Sequence, residues 1–75
     1  MDTMEECQFE MEQHLKSNGV DIAQFSDEVV GDFVYKYYKN YYYYDMDEEY
    51  AARAAVSETL KERGLFIDSY EMWLP

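Results

Sequence analysis

Cys7, Glu10 and His14 are the residues whose types first suggest chemistry, since on a helix Cys7 and His14 stand two turns apart on one face and Glu10 one turn from His14. A thiol, a carboxylate and an imidazole can ligate a metal. Zinc, however, wants three or four well-placed nitrogen or sulfur ligands, and a chain with one cysteine and one histidine has none left to recruit. Nucleophilic catalysis by the same pair fails on distance, because about 10 Å of helical rise separates the two residues. Both read as edge-of-core positions. A calcium loop is the next candidate: Asp45-Met46-Asp47-Glu48-Glu49 matches the first, third and fifth positions of an EF-hand. The match then stops, with Tyr50 where the turn needs glycine and Val56 where the closing glutamate belongs. Acids at a helix N-terminus, favoured by the helix dipole, account for the run. The remaining carboxylate pairs, Glu6 with Glu10 and Glu58 with Glu62, are like charges one turn apart that weaken a helix by a few tenths of a kcal/mol and carry no acid–base signature. The expectation is a protein with no catalytic residue, no metal and no cofactor.

Binding chemistry is better represented. The 75 residues hold six Lys and Arg against 17 Asp and Glu, a formal net charge of -11, and nine of them are tyrosines. Such a balance excludes direct binding to a phosphate backbone, which depends on Lys and Arg, and excludes headgroup-seeking basic helices. No apolar run is long enough for a membrane span, and the acidic start Met1-Asp2-Thr3-Met4-Glu5-Glu6 is unlike a signal peptide, so the expected compartment is the cytoplasm. Charge is unevenly spread: residues 1–35 carry net -8, residues 36–44 net +2 and residues 45–75 net -5. The tyrosine-rich segment thus lies between two acidic lobes. One stretch runs exposed aromatics directly into carboxylates, and it supplies the candidate partner-binding residues: Tyr35, Lys39, Tyr42 and Tyr43 with Asp45, Asp47, Glu48 and Glu49. Tyrosine offers a large rigid face with a polar tip, which is why interfaces use it.

These residues need elements to position them. With 48% hydrophobic residues the chain should fold, as a single helical domain over residues 1–75, although a domain this small gains from a partner or a second copy. Thr3 and Glu6 form a capping box for a first helix over residues 3–18, closed by Gly19 with Leu15 and Val20 in the Schellman positions. Its apolar face is Met4, Cys7, Met11, His14 and Leu15; its opposite side is Asp2, Glu5, Glu6, Glu10 and Glu12, with Phe9 as a lone aromatic among them. Ser26 caps a second helix over residues 26–44, with Phe25 and Val30 placed as a hydrophobic staple. Val29, Val30, Phe33, Val34, Tyr37, Tyr38, Tyr41 and Tyr44 spread over its buried half, leaving Tyr35, Tyr42 and Tyr43 outside. Gly31 in its interior weakens the helix or marks a close approach by another backbone. A hairpin turning at Lys39-Asn40 is the rival for residues 33–44; apolar positions recurring at three and four favour the helix. Asp45 and Glu48 read as the capping box of a third helix over residues 46–63, closed by Gly64, with Ala52, Ala55, Val56, Thr59 and Leu60 facing the bulky second helix. Asp68 is placed to cap a short last turn with Tyr70, Trp73 and Leu74. The fold class is therefore all-α: a compact bundle of three helices with a short C-terminal turn.

In size, acidity and aromatic content the chain resembles the small phage-encoded inhibitors of host defence, the anti-CRISPR and anti-restriction proteins. The residues carrying the likeness are Glu5-Glu6, Glu10, Glu12, Asp45-Met46-Asp47-Glu48-Glu49 and Tyr41-Tyr42-Tyr43-Tyr44. It is a likeness of character that extends over the whole chain and matches no motif. What it implies is an acidic inhibitor whose carboxylates stand where a nucleic-acid-handling enzyme expects phosphates. The implied partner is the basic surface of that enzyme. The five acids of the first helix alone span about 24 Å, a thinner line of charge than one strand of B-DNA, so mimicry requires helices 1 and 3 together. The competing expectation is a small helical interaction or regulatory subunit, dimeric in one version, that uses its Tyr and Trp surface.

Overall fold

Local signals decide where the helices begin and end, and the computed structural model, which describes residues 2–73, realises most of them. Helix α1 runs Thr3–Ser17, a 3₁₀ turn Ile22–Gln24 follows, α2 runs Asp27–Tyr38 and continues into a π-helical turn Lys39–Tyr43, and α3 runs Glu48–Arg63. Residues 33–44 form no hairpin. Gly19 (φ 75°) and Gly64 (φ 64°) adopt the left-handed conformation that their closing positions require. The Val20 and Leu65 N–H groups donate to Leu15 and Leu60 carbonyls at 2.9 Å, which completes both Schellman motifs. Ser26 Oγ accepts from Val29 N as an N-cap.

Two caps shift from their expected places. Asp2, not Thr3, caps α1: its extended backbone leaves the side chain free to accept from Met4 N, and Thr3 becomes the first helical residue. Asp47, not Asp45, caps α3 and accepts from Tyr50 N. Asp45 cannot serve, because its φ of 55° is far from the extended backbone an N-cap needs. The cause is the π turn, whose i→i+5 bond from Tyr44 N to the Lys39 carbonyl widens the end of α2. The same widening turns Tyr44 out to 62% exposure, against the expectation that it joins the buried half. Asn40, buried in this turn, holds the reversal together: its carbonyl accepts from Met46 N and its amide donates to the Ala51 carbonyl.

One core serves all three helices. Phe33 and Tyr37 of α2 are fully buried beside Ala51, Ala52, Ala55 and Val56 of α3, so large rings meet small side chains at the main interface, and Cys7, Met11 and Leu15 come in from α1. The radius of gyration, 11.2 Å, is near the roughly 11 Å expected of a packed chain of this length. Gly31 does not mark a close approach, since a Cβ there would meet nothing within 4 Å. Phe25 and Val30 are both partly buried against the core, as staple residues should be. After Gly64 the chain leaves Phe66 77% exposed, returns with Ile67 and Tyr70 buried, and reverses through Ser69 at φ 64°. Asp68 therefore sits in a turn closed by Tyr70 N on the Ile67 carbonyl and caps no helix. Leu74, expected to share this turn, lies outside the described residues.

Candidate functional site

The partner-binding residues named from the sequence separate into two places. Asp47, Glu48 and Glu49, at the N-terminus of α3, line a groove of about 560 Å³ whose other wall is α1, through Phe9, Glu10, Gln13 and His14. A second concavity of about 360 Å³, lined by Glu6, Tyr41 and Tyr42, shares Phe9 and Glu10 with the first. Tyr42 and the three acids are thus brought onto one surface, and the residues that join them, Phe9 and Glu10, come from α1. Tyr35, Lys39, Tyr43 and Asp45 line neither concavity. Lys39, the first residue of the π turn, holds its Nζ 5.7 Å from the centre of the Tyr35 ring of α2, a cation–π pair. Tyr43 stands edge-on to Tyr38 and keeps 72% of its surface exposed.

Glu10 is the main departure from expectation. It was placed among the outward acids of α1, yet it is half-buried, because α3 begins beside it and folds Glu48 against it. Burial, and then the Glu48 carboxylate, push the Glu10 carboxyl above its ordinary range. Behind them lies Tyr37, whose ring is fully buried and whose hydroxyl makes no hydrogen bond. Its pKa is driven up by burial first and by the Glu10 and Glu48 charges next. The Glu10 carboxylate is near enough to act on that hydroxyl but does not meet it with bonding geometry.

The ion pairs among the described residues lie elsewhere. Arg63 pairs with Asp32 and with Glu28 at 3.4 Å, and Lys36 pairs with Glu62 at 2.7 Å, all toward the far end of α3. Among the described residues no ion pair reaches Glu10, Asp47, Glu48 or Glu49. The surface therefore presents unneutralised carboxylates around an aromatic, Phe9, that is 60% exposed.

A hydrogen-bonded network lies behind the groove. Arg53, noted from the sequence only as part of a strongly helical stretch, is 5% exposed and has no carboxylate partner among the described residues. It donates to the Glu71 carbonyl at 2.7 Å and to Asn18 Oδ1 at 2.9 Å, and its guanidinium lies over the Tyr70 and Trp73 rings at 4.8 and 5.2 Å. Tyr70 in turn hydrogen-bonds His14 Nε2, and Trp73 N donates to Ser57 Oγ. His14 is thereby a structural residue, with a pKa lowered by burial and by Arg53. The only sequence signal for this hub is an arginine set within alanines that face the core. Cys7 is fully buried, and burial followed by the Glu10 and Glu6 charges pushes its thiol up, away from the reactive thiolate.

None of the protein families, curated proteins or solved structures compared with the chain matches it.

Proposed function

We propose that this protein acts by binding, as an acidic inhibitor that docks on the basic groove of a nucleic-acid-handling enzyme with its carboxylates in the places of phosphates. The observation that carries the reading is the convergence of Glu6 and Glu10 from α1 with Asp47, Glu48 and Glu49 at the start of α3 around two joined concavities. Mimicry by a single helix is too dilute, and these two helices supply the second line of charge. Among the described residues no cation pairs with these carboxylates, which leaves their charge available to steer and hold a basic surface. Tyr41, Tyr42 and Phe9 add apolar area between the charges, suited to the stems and faces of Lys and Arg side chains. The likeness to phage-type inhibitors rests on composition and belongs to this proposal alone.

A second reading, an interaction or regulatory subunit that uses aromatic surface, draws on the exposed rings of Tyr43 and Tyr44, at 72% and 62%, which lie outside the concavities. Affinity capture from lysate, repeated at rising salt and with added DNA or RNA, separates the two. The mimic releases its partner as salt screens charge over about 8 Å, and nucleic acid displaces it. Retention through high salt with no competition by nucleic acid would transfer the function to the aromatic surface.

A further inference from the structure

We infer that the groove between α1 and the start of α3 is a socket for an arginine side chain of the partner protein, an inference that rests on the binding reading above and narrows it to one residue type. Its walls are the Glu10 and Glu48 carboxylates, crowded together without a cation. Two adjacent carboxylates match the forked N–H groups of a guanidinium, which can donate to both, whereas an ammonium meets them as a point charge. Phe9 lines the same groove and is 60% exposed, so a planar guanidinium or its alkyl stem has an aromatic face to lie on. The inner wall holds a buried polar group without a partner: the hydroxyl of Tyr37, a groove-lining residue with no exposed surface, makes no hydrogen bond. A metal ion is not served by the same residues, since among the described residues no three His, Cys, Asp or Glu side chains are gathered to hold one.

The test is a titration of the isotope-labelled full chain, followed by amide shifts, with a capped Gly-Arg-Gly-Arg-Gly peptide and its lysine and citrulline counterparts at one ionic strength. The arginine peptide should bind saturably, with shifts concentrated at residues 9–14 and 47–52. It should bind about fivefold or more tightly than the lysine peptide, and the uncharged citrulline peptide should not bind. The Glu10→Gln, Glu48→Gln double variant, checked for an intact spectrum, should lose about tenfold or more of that affinity, and Phe9→Ala should narrow the gap between arginine and lysine. Equal binding of the arginine and lysine peptides with shifts spread over all acidic surfaces would overturn the socket, as would full affinity in the double variant. If the socket fails while nucleic acid still displaces a captured partner, only the arginine inference falls. If the peptide seats but nucleic acid does not compete, the mimic reading falls and the socket stands.

Discussion

His14 Nε2 and the Tyr70 hydroxyl lie 2.6 Å apart, a hydrogen bond that joins the first helix to the returning C-terminal segment across the edge of the groove. The imidazole is held below its ordinary pKa by burial and then by the Arg53 charge, with Glu49 opposing. A histidine that binds its proton less readily folded than unfolded contributes stability that is complete above about pH 6.5 and is lost as the pH falls toward its folded midpoint. The protein has one histidine, so its ring proton resonances report that midpoint directly. The midpoint should lie below the ordinary value, and a His14→Gln variant should lose this part of the pH dependence of melting. A midpoint at or above the ordinary value would contradict the buried, neutral ring.

Arg53→Met removes two hydrogen bonds and two cation–π contacts while leaving the Glu71 carbonyl and Asn18 without their donor. Urea denaturation should show a loss of about 2–4 kcal/mol. The single tryptophan, Trp73, provides a local readout, since its emission should shift toward that of a solvated indole as the segment detaches. An unchanged Trp73 spectrum would mean that Tyr50, whose ring centre is 5.1 Å from that of Trp73, holds the segment without Arg53.

Gly31 and Gly64 should respond to alanine in opposite directions. Gly31 is inside α2 with open space where a Cβ would stand, so Gly31→Ala should stabilise by about 0.4–1 kcal/mol through helix propensity and a less flexible unfolded chain. Gly64 sits at φ 64°, where a Cβ costs about 1–2 kcal/mol, so Gly64→Ala should destabilise. Chemical denaturation of the pair checks both signs.

How far these features could be read in advance depends on how local their causes are. Gly19, Ser26 and Gly64 act on the backbone within a few residues, and their helix ends stand where the sequence puts them. Asp45 was expected as the α3 cap because the spacing to Glu48 is right; the π turn that moves the cap to Asp47 is set by how Asn40 ties α2 to the Ala51 carbonyl. Arg53 was illegible for a similar reason, since its partners Asn18, Tyr70, Glu71 and Trp73 are remote in sequence. Half of the site was legible in the same sense. The exposure of Tyr42 follows from the helical wheel and that of Asp47, Glu48 and Glu49 from their place at a helix N-terminus, whereas the partnership with Phe9 and Glu10 arises only when α1 packs beside α3.

Glu10→Gln should stabilise the protein at pH 7. Glu10 holds its proton more tightly folded than unfolded, through burial first and Glu48 second, so its contribution to stability is present at acid pH and is lost as the pH rises through its folded value. Replacing it by a neutral isostere removes that loss. Melting temperature measured at pH 4 and pH 7 should show the variant's advantage growing with pH; a constant difference would mean that neither burial nor Glu48 raises the Glu10 carboxyl in the folded chain.

If the carboxylates around the groove hold the partner, as proposed above, neutralising them should release it. A variant carrying Glu10→Gln, Asp47→Asn, Glu48→Gln and Glu49→Gln keeps every tyrosine and should remain helical by circular dichroism, since the changes remove like charges from exposed or half-buried positions. Quantitative capture from lysate, beside the unaltered chain and Tyr43→Ala, should find that the neutralised variant no longer retains the partner while Tyr43→Ala does. A folded, neutralised variant that captures the same protein in the same amount would rule out binding through these carboxylates.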